Sequence, residues 1–264
     1  MRLGLVGDPV HHSLSPVMMQ AALAALGREG AYELLPTPAE RLGERMQEVR
    51  RSYRGVNVTV PHKRRVVETL DRVEGDALSV GAVNTVVNRS GELVGHNTDA
   101  AGFYWALERL DLLPGEALIL GAGGAARAVV HALVQRGWLV GVHNRTLARA
   151  QELVERVGGW IVAPDKLEKA VRRTPLLVNA TSVGLNDADA SPLPEGLLPE
   201  AGAVVDLVYA PLETRLLREA RSAGLVVVDG LGMLLGQGVL AFELWAEAPA
   251  PVEAMERALR EAVR

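Results

Sequence analysis

Val, Leu and Ile cluster in short runs, and between them apolar residues recur every three or four positions. Residues 2–7 (RLGLVG) predict a buried strand and 31–35 (AYELL) a second. Between them Ser15-Pro16 predicts a helix start, with serine as N-cap, and the helix runs to about Leu26, where Gly27 follows. An amphipathic stretch rich in Arg and Glu, 38–51, leads to a strand at 55–60 (GVNVTV); Pro61 ends it and opens a helix to about Leu70. The βαβαβα order implies a mainly parallel sheet. The stretch GAVNTVVNRSGELVGHNTDAAG predicts a hairpin ending in a loop, and a long helix follows over about 100–112, closed by Pro114-Gly115.

A second block repeats the alternation. It predicts a strand at 117–120, a glycine turn at 121–124, a helix at 125–136, a strand at 138–143 and a helix at 147–156. Strands follow at 160–162, 175–179, 202–206 and 225–228, and helices from about 232, with 186–199 as a loop rich in Asp and Pro. The expected architecture is α/β: two α/β domains, the second of Rossmann type, with a cleft between them.

Composition narrows the class. A chain of 264 residues, 48% hydrophobic and 23% charged, can bury a real core, and its net charge of −4 gives no reason to expect nucleic acid or a membrane surface as partner. The apolar runs are too short to span a bilayer, and the N-terminus enters a strand pattern instead of a signal peptide. There is no cysteine, so disulfides and thiolate chemistry are excluded; a cytoplasmic protein is expected. The six histidines show no metal-ligand spacing with carboxylates, so no metal is expected. Lysine occurs only at positions 63, 166 and 169 of an arginine-rich chain.

The strand Leu118–Leu120 runs into Gly121-Ala122-Gly123-Gly124 and then a helix. Gly121 permits the turn, and Gly123 admits a pyrophosphate onto the helix N-terminus, where free amides and the macrodipole favour negative charge. Ala126 takes the third-glycine position of that fingerprint. At the end of the next strand an NAD site usually carries Asp or Glu, but this chain reads His143-Asn144-Arg145-Thr146, with Arg149 one turn on. Two guanidiniums suit a 2′-phosphate, so the expected cofactor is NADP; solvated arginines at a helix start are the alternative.

Elsewhere Asn57 and Thr59 share one face of their strand and Val56, Val58 and Val60 the other. The strand delivers Lys63 to the expected first turn of a helix, where the dipole disfavours a cation. An amine can trade a proton where a guanidinium cannot, so Lys63 is a candidate acid/base group, unless it is simply an exposed lysine beside Arg64 and Arg65. Asp99 reads either as the cap of the long helix or as the carboxylate that holds that amine. Ser13 and Ser15 read either as hydroxyls for a carboxylate ligand or, for Ser15, as a simple cap.

Nine segments in the same order make the chain resemble the shikimate dehydrogenase family. They are Ser13–Ser15, Asn57–Lys63, Gly81–Thr85, Gly95–Asp99, the glycine turn, Asn144–Thr146, Asn179–Ser182, Asp206–Pro211 and Gly230–Gln237. The resemblance implies reversible reduction of 3-dehydroshikimate to shikimate by NADPH, on the route to chorismate and the aromatic amino acids. It assigns catalysis to Lys63 with Asp99, and the substrate carboxylate to Ser13 and Ser15. Thr59, Asn84, Tyr209 and Gln237 would contact the ring. On the cofactor, Gly121, Ala122, Gly123, Gly124 and Ala125 would hold the pyrophosphate, and Asn144, Arg145, Thr146 and Arg149 the adenosine phosphate. Thr181, Leu207, Gly230 and Met233 would lie by the nicotinamide half. The substrate domain would be 1–100 plus 237–264 and the NADP domain 101–236; a monomer and a homodimer are both compatible with the sequence. Rival expectations are a quinate/shikimate dehydrogenase and a non-catalytic NADP-binding sensor.

Overall fold

The computed structural model describes residues 1–110, 112–185 and 187–263. Asp111 and Asn186, at the expected helix end and loop start, lie outside them. The chain divides into two compact units, Met1–Gly102 with Leu234–Arg264, and Phe103–Met233.

In chain order the first unit supplies β1 (Arg2–Gly7), α1 (Ser15–Ala25), β2 (Ala31–Pro36), α2 (Leu42–Ser52) and β3 (Gly55–Val58). It continues with β4 (Arg72–Val73), α3 (Asp76–Val80), β5 (Thr85–Arg89), β6 (Glu92–His96) and the start of α4 (Asp99–Leu107). Its sheet runs β2-β1-β3-β5-β6-β4. The pairs β1/β2, β1/β3 and β4/β6 are parallel, and β3/β5 and β5/β6 antiparallel. One face packs Val6, Val56, Val58 and Val86 against Leu42, Met46 and Val49 of α2.

Two expected boundaries in this unit move. Ser15 is not the cap of α1 but its first residue: the cap position is the apolar Leu14, and Ser13 Oγ accepts the Ser15 amide at 3.2 Å and closes the preceding turn. β3 ends at Val58, and no α-helix follows Pro61. There the His62 amide bonds back to the Thr59 carbonyl, and the Lys63 carbonyl is taken by the Val83 amide at 2.7 Å. A short 3-10 turn, Arg65–Thr69, is what remains of the expected helix. Lys63 therefore stands in a turn, and the helix-dipole argument does not apply to it.

The second unit carries β7 (Glu116–Leu120), α5 (Gly124–Val134), β8 (Leu139–His143), α6 (Leu147–Val157), β9 (Trp160–Ile161), α7 (Leu167–Arg173) and β10 (Leu176–Asn179). β11 (Ala203–Asp206), α8 (Arg215–Ser222) and β12 (Val226–Val228) complete it. All its strand pairs are parallel, in the order β12-β11-β10-β7-β8-β9. This is the doubly wound arrangement in which ligands bind where the strand order reverses, here beyond the C-terminal ends of β7 and β10. α7 and α8 are additions to the expected elements; α7 buries Val171, and Thr214 caps α8 through its hydroxyl while Leu216, Leu217 and Ala220 bury one face. The stretch 187–199 forms no helix or strand, but Leu193, Leu197 and Leu198 belong to the unit's core.

α9 (Leu231–Ala246) returns the chain to the first unit, and α10 (Val252–Ala262) packs along α1. Trp245 of α9 seats on the first sheet, its indole N–H donating to the Val86 carbonyl at 2.9 Å. Gly55 leaves the room, since a Cβ there would collide with the indole nitrogen.

Candidate active site

The first unit gathers four of the expected residues into one hydrogen-bonded cluster. Lys63 Nζ lies 2.6 Å from Asp99 Oδ2, and the two side chains are 15% and 5% exposed. Asp99 is the first residue of α4, yet it is not spent on capping: Asn97 Oδ1 accepts the Ala100 amide and does that work. The other Asp99 oxygen accepts from Asn84 Nδ2 at 2.9 Å. Asn84 reaches it because β5 and β6 form the expected hairpin, whose ends bring residues 84 and 98 together; the Thr98 amide donates to Asn84 Oδ1 at 2.7 Å. Gln237 closes the cluster from α9, accepting from Asn84 Nδ2 at 3.4 Å and donating to the Leu234 carbonyl at 2.8 Å. Its approach depends on Gly102, where a Cβ would collide with the Gln237 amide nitrogen.

A half-buried amine is held by a buried carboxylate whose second oxygen is itself fixed, so the amine keeps one direction, an arrangement able to handle a proton. Thr59 is half-buried just past β3, and its methyl packs on Gly7. Ser13 and Ser15 form no hydrogen bond to the cluster; the Ser15 hydroxyl has no partner among the described residues and is free to take a ligand. His62 is fully buried, with Nε2 2.6 Å from the Thr37 carbonyl, so it packs beneath the turn that carries Lys63.

The second unit holds the remaining candidates. Gly121 adopts φ +113°, and a Cβ there would stand 2.9 Å from the Ala180 carbonyl oxygen, so only glycine makes this turn without strain. Gly123 is different: nothing lies within 4 Å of where its Cβ would be, which leaves space for a ligand against the backbone. The first amides of α5 have no intrahelical acceptor, the feature that lets a helix N-terminus take an anion. Ala126 is fully buried under the turn. The Gly121 amide donates to the His143 carbonyl at 2.8 Å, so the end of β8 lies beside the turn.

Beyond β8, Asn144 shapes the loop by donating to the Thr146 carbonyl at 2.8 Å. Arg145 and Arg149 are exposed and their guanidiniums have no partner among the described residues. Two unpaired cations and no carboxylate beside a glycine turn fit a dinucleotide bearing an extra phosphate. α6 is tied to α5 by an ion pair between the buried Arg127 and Glu152 at 3.0 Å.

Thr181, Leu207, Gly230 and Met233 lie past the ends of β10, β11 and β12. Leu207 and Met233 line one cavity with Phe103, Val205 and Asp229. Gly230 packs so tightly on the Leu207 carbonyl that a Cβ would clash with it. Tyr209 is half-buried in the segment between β11 and α8. The fixed point under these loops is a residue that sequence reasoning does not single out. Asp206 is fully buried and accepts from Asn179 Nδ2 at 2.9 Å, the Val208 amide at 3.0 Å and Thr214 Oγ1 at 2.7 Å, while Asn179 Oδ1 holds Thr181. Burial pushes its carboxyl above the usual aspartate value despite those donors. Among the described residues no group of three or more His, Asp or Glu side chains converges to hold a metal, and no helix is long and apolar enough to cross a membrane.

Residues 5–86 match the family model described as the shikimate dehydrogenase substrate binding domain, 106–188 the model for shikimate/quinate 5-dehydrogenase, and 230–260 the shikimate 5′-dehydrogenase C-terminal domain. A shikimate dehydrogenase (NADP(+)) from one strain of Thermus thermophilus is 53% identical over 100% of this chain and 99% of that one. A crystal structure of shikimate 5-dehydrogenase from another strain of Thermus thermophilus, in complex with NADP(H) and shikimate, superposes with a TM-score of 0.93 at 52% identity, covering 99% of both chains. A quinate dehydrogenase from Corynebacterium glutamicum in complex with NAD superposes with a TM-score of 0.91 at 31% identity, over 99% of both chains.

Proposed function

This chain belongs to the shikimate dehydrogenase family, and from that premise we propose how its residues divide the work of interconverting 3-dehydroshikimate and shikimate with NADP(H). When bound, NADPH supplies the hydride that reduces the ring ketone. Lys63, as ammonium, gives its proton to the oxygen on which charge develops; in the opposite direction the free amine accepts the hydroxyl proton. Asp99 holds the amine and touches a ring hydroxyl with the same carboxylate. Asn84, Gln237, Thr59 and Tyr209 take the remaining hydroxyls, and Ser13 and Ser15 the ring carboxylate.

The observation that carries this reading is the 2.6 Å contact of Lys63 with a buried Asp99 whose other oxygen is fixed by Asn84. On the cofactor side, Gly121 to Ala125 would meet the pyrophosphate, and Asn144, Arg145, Thr146 and Arg149 the 2′-phosphate. Thr181, Leu207, Gly230 and Met233 would shape the nicotinamide pocket. The unpaired guanidiniums of Arg145 and Arg149 support NADP over NAD. For its setting we infer the cytoplasm, which a chain without cysteine supports.

The test is the change in absorbance at 340 nm when purified protein meets shikimate or quinate with NADP or NAD. The expected result is shikimate oxidation with NADP, at a kcat/KM well above that of the other three combinations. Comparable kcat/KM with NAD, or a preference for quinate, would overturn the assignment.

A further inference from the structure

Beneath the cluster just assigned to proton transfer lies a line of buried polar groups, Tyr32, Asn57 and Thr85, none of them assigned above to substrate or cofactor. It starts at Tyr32 in β2, whose hydroxyl donates to Asn57 Oδ1 at 2.8 Å. Asn57 sits in β3, directly opposite Thr85 of β5, and its Nδ2 donates to the Asn84 main-chain carbonyl and to Thr85 Oγ1, each at 3.1 Å. Thr85 Oγ1 stands 3.2 Å from Asn84 Oδ1 and 3.1 Å from Thr98 Oγ1. Asn57 and Thr85 are 4% and 0% exposed.

The donors and acceptors fix the order as far as Thr85. The Asn84 main-chain carbonyl can only accept, so it fixes which end of the Asn57 amide carries the protons. Thr85 must then accept from Asn57, and its single proton goes on to Asn84 Oδ1 or Thr98 Oγ1. The Thr98 amide can only donate, so it fixes the Asn84 oxygen and turns the Asn84 amino group toward Asp99. The sheet itself has no need of this line. A buried hydrogen-bonded pair can be replaced by apolar groups of the same shape at little cost, and Asn57 stands between Val56 and Val58 while Val86 follows Thr85.

Resting on the reading of Lys63 and Asp99 given above, we propose that Thr85, oriented by Asn57 and Tyr32, is a positioning residue that aims Asn84 at Asp99 and so sets both substrate affinity and turnover. Without its hydroxyl, Asn84 Oδ1 or its neighbour Thr98 Oγ1 loses a donor, Thr98 alone is left to hold the Asn84 oxygen, and the amide gains freedom to tilt away from the carboxylate.

The experiment compares Thr85→Val, Thr85→Ser and Tyr32→Phe with the wild type. Shikimate affinity is measured by calorimetry without cofactor, and kcat by absorbance, both well below each variant's melting midpoint. Thr85→Val keeps the shape but strands one Asn57 proton, so its melting temperature falls. That fall alone is what a purely structural role predicts. The expected result is a roughly three- to tenfold weaker Kd for shikimate together with a similar loss in kcat. Thr85→Ser restores both, and Tyr32→Phe gives a smaller loss of the same kind. Kd and kcat that both stay within about 1.5-fold of the wild type in Thr85→Val would overturn the proposal. Failure of the wild type to oxidise shikimate would instead sink the reading on which it rests.

Discussion

Asp99 opens a helix, and sequence alone leaves two uses for its carboxylate. The structure separates them, because Asn97 closes the helix turn and leaves both Asp99 oxygens for side chains. A charge-assisted hydrogen bond is worth about 1.5–3 kcal/mol. Asp99→Asn should therefore cost roughly 10- to 150-fold in kcat/KM for shikimate, divided between a lower kcat and a higher KM, since in the proposed site one carboxylate serves both lysine and ring. Steady-state kinetics check this; a change confined to KM would remove Asp99 from proton transfer. Lys63 shows what residue chemistry alone can reveal. It stands out as a lysine where arginine is the rule, and the structure pairs it with Asp99, although the helix expected to carry it does not exist.

Among the elements, the glycine turn between β7 and α5 makes two glycines do different work, and substitution should separate them. Gly121→Ala forces a side chain into φ +113° against the Ala180 carbonyl, so the fold loses stability, by about 1 kcal/mol or more, and melts at lower temperature. Gly123→Ala meets no protein atom within 4 Å, so the melting temperature should hold while the KM for NADPH rises as the methyl enters the proposed pyrophosphate space. If Gly123→Ala left NADPH binding unchanged, the turn would not be the phosphate cradle. Such elements are legible because period, turn and cap agree locally: the extents of β7, α5, β8 and α6 follow from sequence to within a residue or two. The failures have tertiary causes. The helix expected after Pro61 is lost to a long-range bond from Val83 to the Lys63 carbonyl, which no local pattern encodes. α7 and α8 are exceptions, since Thr214 and the apolar faces of both helices are ordinary helix signals that could have found them. Asn57 is conspicuous as a polar residue in a valine strand, but its partners Tyr32 and Thr85 come from other strands and cannot be read along the chain.

For the molecule as a whole, the buried Asp206 leaves a mark on stability. Its carboxyl is pushed above its ordinary value of 3.8 by burial, so the folded chain holds that proton more tightly than the unfolded one. The contribution is fully present below that ordinary value and is lost as pH rises through the raised folded value. Glu33 and Asp71 act in the opposite sense: arginine hydrogen bonds hold them low, and their stabilisation is lost as pH falls. Asp206→Asn removes one titration and leaves theirs. Its melting temperature should therefore gain on the wild type as pH is raised from about 4 to about 7; a difference that stays flat, or reverses, would show that the carboxyl is not raised.

Passage of the proton through the amine at position 63 is open to one direct experiment, the steady-state kinetics of Lys63→Ala with shikimate and NADP. Loss of a general acid/base group predicts a fall in kcat of roughly 10²- to 10⁴-fold with KM for shikimate changed little. A variant that turns over at close to the wild-type kcat would contradict it.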